Sequence, residues 1–186
     1  MITKKKFLLA VLACVLFSAA ASAQGSYKVS YDSLGNKVLV GKISEKVLAN
    51  DSAFMWFFTG VNRYRPDSAW IKYISFYRDS FDVVAFVGTW CPDSKRMLPE
   101  FYRVMMASSY PMNHIQLYGL DRHLKGEGGA EETYHVDKVP SFILLHDGKE
   151  IGRITDHVNR SMEADMVSIL QRYFMPAQVS ATGTTR

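Results

Sequence analysis

Cysteine is nearly absent from the 186-residue sequence, which contains only Cys14 and Cys91. Cys14 lies in residues 1–23, whose composition is typical of a cleaved signal peptide. The chain that remains has one cysteine and cannot form an internal disulfide, which excludes the disulfide-stabilised scaffolds common among small secreted proteins. A lone cysteine in an oxidising compartment is either buried and inert or used for bonds to other molecules.

The sequence also lacks a large excess of either charge. Lys and Arg together number 22, Asp and Glu number 18, and three of the lysines fall in residues 1–23. Without those three the chain has a formal charge near +1 (19 minus 18) and no basic stripe. Nucleic acid is therefore not expected as a partner.

Motifs for metals and cofactors are missing as well. The five histidines have no metal-ligand spacing around the lone cysteine, so no metal site is predicted. The sequence contains neither the Cys-x-x-Cys-His motif of haem attachment nor a glycine loop that would bind phosphate. We therefore expect no bound cofactor.

The first 23 residues have the three regions of a secretory signal peptide. Three lysines precede an apolar run at residues 7–17, and the small residues Ala-Ser-Ala end at Ala23. This pattern predicts a periplasmic or extracellular protein that begins at Gln24. An alternative is a lipoprotein signal that anchors the chain through Cys14. The apolar run is shorter than the roughly 20 residues that span a bilayer, so no stable membrane insertion is expected after signal removal.

Apolar periodicity predicts alternating helices and strands in the rest of the chain. The predicted helices cover residues 65–78, 92–108, a short stretch within 122–133, and 161–174; the predicted strands cover residues 83–87, 114–120, 140–145 and 149–155. This order favours an α/β domain over residues 66–176, with a central mixed sheet covered on both faces. Residues 24–65 are predicted to be an N-terminal elaboration with two short strands, and residues 177–186 a flexible tail.

The remaining cysteine lies where a strand is predicted to meet a helix. A β-branched and aromatic run at residues 83–87 reads as a buried strand, and Trp90-Cys91-Pro92 then begins the helix. Unpaired backbone N–H groups and the positive end of the helix dipole favour a thiolate at this point. Proline suits the first helical turn, where its missing N–H is not needed.

This segment resembles the active-site segment of thioredoxins. The matching features are the buried strand, Trp90 directly before Cys91, Lys95 four residues after the cysteine, and Pro99 eight residues after it. The resemblance implies a thioredoxin-like three-layer fold over about residues 66–174. It also implies that Cys91 is the nucleophile, and that Trp90 and Pro92 form part of the surface that binds the substrate.

A second segment resembles the same family. Thioredoxins place a proline, usually in the cis form, at the start of the strand that faces the active-site cysteine. Val139-Pro140-Ser141 stands in that place, with Gly148 eight residues on at the turn of a hairpin. The resemblance implies that Val139 and Pro140 present a backbone with which an extended substrate pairs.

Two positions depart from the thioredoxin pattern. Thioredoxins have a Cys-x-x-Cys motif, and here Ser94 replaces the second, resolving cysteine. Thioredoxins also bury an aspartate six residues before the first cysteine, and here that position is Ala85. Cys91 can still attack a disulfide, with Ser94 as a polar neighbour able to donate a hydrogen bond to the sulfur. Release of the product then needs a thiol from another molecule.

The residues support two main hypotheses about function. The first is a monothiol oxidoreductase that forms mixed disulfides through Cys91 with extracytoplasmic thiol or disulfide proteins. The second is a redox-silent binding module that uses the same groove. A copper-handling role ranks third, because thioredoxin relatives of that kind usually offer two cysteines and a histidine.

Overall fold

The computed structural model describes residues 27–176. The predicted signal peptide with Cys14, the predicted new terminus at Gln24 and the predicted tail at residues 177–186 lie outside this part. The strands are β1 (Tyr27–Tyr31), β2 (Lys37–Ile43), β3 (Asp82–Val87), β4 (Ile115–Gly119), β5 (Ser141–His146) and β6 (Lys149–Thr155). The α-helices are α1 (Glu45–Asn50), α2 (Met55–Arg63), α3 (Ser68–Tyr77), α4 (Pro92–Ala107), α5 (Ala130–Thr133) and α6 (Met162–Phe174).

The six strands form one mixed sheet in the order β1-β2-β4-β3-β5-β6. β3 and β4 run parallel, and every other neighbouring pair is antiparallel. The central strand β3 is buried from Val83 to Val87, as its apolar run predicts. The α/β class with a central mixed sheet is therefore confirmed.

Alternate residues of the central strands face two separate clusters. Val83 and Ala85 belong to the larger cluster, which also takes core residues from α3, α4 and α6. Val84 and Phe86 belong to the smaller one, which is covered by Trp90 and by the segment after β4 that contains α5. The long helices thus cover one face, and a short helix with loops covers the other.

The N-terminal elaboration is part of the same sheet and core. β2 pairs with β4 at three positions, Gly41↔Gly119, Lys42↔Tyr118 and Ile43↔Leu117. Leu39 is fully buried in the larger cluster, as is Phe54 from the 3-10 turn before α2. The sequence did not disclose a role for this segment, and the structure gives it one: it extends the sheet on the β4 side.

Short polar side chains fix the boundaries of several helices. Asp67 accepts a hydrogen bond from the backbone N–H of Ala69 at the start of α3, at 2.7 Å. Ser161 accepts one from Ala164 at the start of α6, where an N-cap serine is common. Ser44 precedes α1 in the N-cap position, but its side chain makes no capping hydrogen bond. No helix within residues 27–176 has the length and apolar character needed to cross a bilayer.

Candidate functional site

Cys91 occupies the N-cap position of α4, at the end of the loop that leaves β3. Its backbone N–H donates to the carbonyl of Gly88 at 2.8 Å, and its own carbonyl accepts from the N–H of Lys95 at 3.0 Å. The side chain is 7% exposed. The sulfur thus lies at the start of a 16-residue helix, close to the surface but largely covered.

The segment Val139-Pro140 lies against this sulfur. The Sγ atom of Cys91 is 3.6 Å from the carbonyl oxygen of Val139, within range of a weak S–H···O hydrogen bond. The peptide bond between Val139 and Pro140 is cis. Pro140 is buried, and its carbonyl accepts from the N–H of Asp156 at 2.9 Å. The structure therefore brings together the two segments on which the resemblance rests.

Ser94 lies one turn into α4 and is fully buried. Its hydroxyl oxygen accepts a hydrogen bond from the backbone N–H of Gly88 at 3.1 Å. The hydrogen bond from Ser94 to the Cys91 sulfur, which the sequence allowed, is not among those of residues 27–176. Ser94 thus ties the loop after β3 to the helix. Pro92 occupies the first helical position and is exposed.

The sheet beneath α4 is apolar at the position where thioredoxins bury an aspartate. Ala85 is fully buried, and its partners on the neighbouring strands are Leu117 and Phe142. The carboxylate nearest in sequence to the sulfur is that of Asp93, which is exposed and lies 3.5 Å from the guanidinium of Arg96. No acidic residue takes the place of the missing base on this strand.

Trp90 is held in place from two sides. Its indole N–H donates to the carbonyl of Leu120 at 2.9 Å, and the guanidinium carbon of Arg122 lies 5.0 Å from the ring centre. The ring also lies directly against Gly88, where an added Cβ would come within 2.7 Å of an indole carbon. A cation this close to an aromatic ring attracts it by roughly 0.5–1 kcal/mol at an exposed site.

Arg122 connects Trp90 to the turn between β1 and β2. Its guanidinium donates to the carboxylate of Asp32 at 2.9 Å. Asp32 also accepts from the backbone N–H groups of Leu34 and Asn36, both at 2.9 Å. Hydrogen bonds from Asn36, with a smaller contribution from Arg122, hold the pKa of the Asp32 carboxyl well below its ordinary value.

The lowered pKa of Asp32 predicts that acid weakens this turn. A carboxyl whose pKa is lower in the folded state contributes stability above its unfolded pKa of about 3.9, and this contribution is lost as the pH falls through the folded value. We expect the Asp32→Asn variant to lose less stability than the parent between about pH 6 and pH 2. Urea denaturation across this range measures the effect. Equal acid sensitivity of the two proteins would show that Asp32 is not held as described.

Thr89 connects the loop before Cys91 to β2. Its side chain is buried, and the hydroxyl accepts from the N–H of Leu39 and donates to the carbonyl of Lys37, both at 3.2 Å. These two bonds join the residue directly before Trp90 to the N-terminal elaboration. The elaboration therefore contacts the site at two points, through Thr89 and through Arg122.

Replacing Thr89 with valine should destabilise this junction. Valine has a similar shape but no hydroxyl, so an N–H and a carbonyl of β2 lose their partner. We expect a loss of about 2 kcal/mol in the free energy of unfolding, because an unsatisfied buried polar group costs about 1–3 kcal/mol. The Thr89→Ser variant keeps the hydroxyl and should lose less than half as much. Chemical denaturation of both variants checks this, and equal losses would mean that packing, not hydrogen bonding, holds the junction.

Sequence reasoning identified Cys91, Ser94 and the Val139-Pro140 segment, but it missed Thr89 and Arg122. A signal for both was available. β3 and β4 are parallel neighbours, so the residues that follow them emerge at the same edge of the sheet.

Within residues 27–176, no group of three or more His, Cys, Asp or Glu side chains is arranged to hold a metal ion.

The sequence model of the family described as thioredoxin matches residues 66–170, which is more than half of the 186-residue chain. The chain belongs to the thioredoxin family. This membership supports a redox function, or another function of the thioredoxin fold, in general terms. Comparison of this thioredoxin-like chain with curated protein sequences gives no match.

Several solved structures are similar to the thioredoxin-like chain at low sequence identity. A protein of unknown function from Pseudomonas aeruginosa is 12% identical, with a TM-score of 0.44, and the match covers 68% of this chain and 83% of that one. A mutant thioredoxin from Halobacterium salinarum is 17% identical, with a TM-score of 0.36, and the match covers 50% and 74%. An HIV epitope scaffold is 14% identical, with a TM-score of 0.43 and coverage of 68% and 84%.

Proposed function

We propose that this chain carries out thiol-disulfide exchange through Cys91 alone, by forming mixed disulfides with exported thiol or disulfide proteins. The observation that carries the proposal is the position of the sulfur. Cys91 begins a long helix and lies 3.6 Å from the backbone of Val139, and it is the one cysteine within residues 27–176. A helix N-terminus favours the thiolate, which is the attacking species.

The exchange runs in two steps. The Cys91 thiolate attacks one sulfur of a partner's disulfide, forms a new disulfide to that sulfur, and expels the other sulfur as a thiolate. A thiol from a second molecule, such as a glutathione-like reductant, then attacks the mixed disulfide. Cys91 leaves as a thiolate, and the partner stays bonded to the incoming thiol. Ser94 cannot perform this second step because a hydroxyl does not reduce a disulfide.

The neighbouring residues have distinct roles in this proposal. Trp90 shields the sulfur from one side, and Pro92 sets the first turn of α4. Val139 and Pro140 present the backbone against which an extended substrate segment pairs. Ser94 acts on the site by holding the loop before Cys91, since its hydroxyl accepts from Gly88. We therefore propose Ser94 as a positioning residue rather than as a direct partner of the sulfur.

A second candidate is a binding module without redox activity. The observations that favour it are the low exposure of Cys91 and the contact of its thiol with the Val139 carbonyl, because that hydrogen bond requires the protonated form. In this case the same groove would bind a partner segment without forming a covalent bond.

An exchange assay on residues 24–186 separates the two candidates. The probe is a peptide disulfide with extended flanking residues, and the product is followed by intact mass. We expect an adduct on Cys91 that is removed by added glutathione and is absent from the Cys91→Ser variant. A folded protein that forms no adduct, under conditions in which the denatured chain forms one, would favour the binding module.

We also propose that the protein is exported and that its first 23 residues are removed. The support is the three-region pattern of residues 1–23. Intact-mass measurement of the protein from its own cell fractions should give a chain that begins at Gln24. A diacylated Cys14 would instead assign a lipid anchor, and a retained N-terminal methionine would contradict export through this signal.

A further inference from the structure

A cleft of about 500 Å³ lies beside the active-site helix. One wall comes from the N-terminal elaboration, through Trp56, Arg63 and Arg65, and the other from α4, through Lys95, Arg96 and Glu100. The backbone N–H of Lys95 donates to the carbonyl of Cys91, so this residue of the cleft follows Cys91 by one helical turn. We refer to this cleft as the basic cleft.

The basic cleft contains four cations and one carboxylate. Among residues 27–176, no carboxylate oxygen lies within 4.0 Å of the charged nitrogens of Arg63, Arg65 or Lys95. Arg96 is paired, at 3.5 Å from Asp93 and at 3.8 Å from Glu100. Glu100, the acid that lines the cleft, is therefore partly neutralised by Arg96, and the other three cations have no partner charge within residues 27–176.

This concentration of positive charge is local. The chain without its predicted signal peptide has a formal charge near +1, so the four cations of the cleft do not reflect a large overall excess of positive charge. On the far side of Trp56 and Lys95, an adjoining cleft contains Lys37, which is paired with Asp51 at 2.6 Å. Lys37 is therefore neutralised in the adjoining cleft, in contrast to Arg63, Arg65 and Lys95.

The walls of the cleft are fixed by packing. The ring of Trp56 contacts Phe54 and Phe57 edge to face, at 6.3 and 6.1 Å between ring centres. The guanidinium of Arg65 donates to the backbone carbonyl of Tyr64 at 3.0 Å. These contacts hold an aromatic surface and a cation in place before a ligand arrives, which reduces the entropy lost on binding.

We infer that the basic cleft binds an acidic peptide segment of the partner protein, located beside the partner's reactive cysteine. This inference rests on the proposed function. Arginine and lysine side chains pair with carboxylates, and the Trp56 ring offers a surface for the aliphatic part of a glutamate. One helical turn is about 5.4 Å and an extended chain advances about 3.3 Å per residue, so acidic residues about two to five positions from the cysteine reach the cleft.

Three peptides of equal length test this inference, each with one cysteine activated as an aromatic disulfide. They carry three glutamates, three glutamines or three lysines on one side of the cysteine. We expect the glutamate peptide to form the mixed disulfide with the parent protein at least about fivefold faster than the glutamine peptide, and the lysine peptide to be the slowest, because complementary charge raises the association rate. The glutamate advantage should shrink in high salt.

Charge reversal locates the effect. The double variant Arg63→Glu, Lys95→Glu should lose the preference for the glutamate peptide. The control Lys72→Glu, Lys149→Glu makes the same change in net charge at exposed positions outside the cleft and should keep the preference. Each variant is judged by the ratio of its rates with the glutamate and the glutamine peptides. Any effect of Lys95 on the reactivity of the Cys91 sulfur changes both rates equally and cancels in this ratio. An equal ratio in both double variants would overturn the inference.

Two further outcomes separate this inference from the proposed function. If the glutamine peptide reacts but the glutamate peptide has no advantage, the basic cleft is not a peptide site and the exchange activity stands. If no peptide reacts, the exchange proposal fails, and the inference is judged on non-covalent binding of the fluorescent glutamate peptide to the Cys91→Ser variant. If the glutamate peptide does not bind, the inference is overturned. The inference is also overturned if pyrophosphate alone displaces the bound peptide, because the cleft would then be assigned to a phosphate ligand.

Discussion

Replacing Ser94 with cysteine is expected to turn the monothiol site into a dithiol site that closes on itself. Residues three apart at a helix start have Cα atoms about 5 Å apart, within the range of about 4.4–6.8 Å that disulfides allow. The Ser94 side chain already bonds to Gly88, the residue whose carbonyl accepts from the N–H of Cys91. A thiol at this position therefore starts close to the Cys91 sulfur.

The expected increase in the rate of partner release is large, because the second thiol that attacks the mixed disulfide is now in the same molecule. A tethered thiol acts at an effective concentration of about 1 mM or more, so release should be roughly 1,000-fold faster than with about 1 µM of an outside thiol. Mass spectrometry and quenched-flow analysis of a preformed mixed disulfide measure the rate. The Ser94→Ala variant is the control, because it loses the hydrogen bond to Gly88 without gaining a thiol. A folded Ser94→Cys protein that stays reduced in mild oxidant would mean that the two side chains do not face each other.

Replacing Gly119 with alanine is expected to cause the largest loss of stability. A Cβ at this position would lie 2.2 Å from the carbonyl oxygen of Leu39, which is backbone and cannot rotate away. Gly119 pairs with Gly41, one of only three paired positions that join β2 to β4. β2 would have to move away from β4, which also pulls on the Thr89 hydrogen bonds. We expect a loss of about 3 kcal/mol or more in the free energy of unfolding.

The comparison variant is Gly35→Ala, in the turn between β1 and β2. An added Cβ there meets no atom within 4 Å, but the backbone has a φ of +76°, so only the conformational cost of about 1–2 kcal/mol applies. Urea denaturation of both variants, together with limited proteolysis of the β1–β2 segment, gives the two losses. A smaller loss for Gly119→Ala than for Gly35→Ala would show that β2 is not packed against β4 at this distance.

The sequence predicted the parts of the fold that depend on local patterns. The buried run at residues 83–87 became β3, and the Asp147-Gly148 turn separates β5 from β6. Ser161 caps the last helix as its position before an amphipathic pattern suggests. These predictions succeeded because hydrophobic periodicity and turn chemistry act over a few residues. The resemblance to thioredoxins then placed Val139 and Pro140 opposite the cysteine, and the structure brings Val139 next to Cys91.

The parallel order of β3 and β4 was a signal that Thr89 and Arg122 lie at one edge of the sheet, but their hydrogen-bond partners, which are distant in sequence, were not predictable. Arg122 lies 90 positions from Asp32, and Thr89 lies 50 positions from Leu39, yet both pairs are hydrogen-bonded. No local pattern marks such pairs, because they form only after β2 has docked beside β4. The direction of the Ser94 hydroxyl is another example. The spacing of Ser94 from Cys91 suggested the sulfur as its hydrogen-bond partner. In the structure the Ser94 hydroxyl accepts from the backbone N–H of Gly88 instead.

The most direct test of the account is the rate at which Cys91 reacts with a small neutral disulfide at neutral pH, in the folded and in the denatured chain. Backbone N–H groups at a helix N-terminus favour the thiolate, which is the species that attacks a disulfide. A cysteine-containing peptide, measured with and without denaturant, corrects for the effect of the denaturant. We predict that folded Cys91 reacts faster than the denatured chain, although its side chain is largely covered. A folded protein that reacts more slowly than the denatured chain would contradict the account and identify Cys91 as a buried, inert thiol.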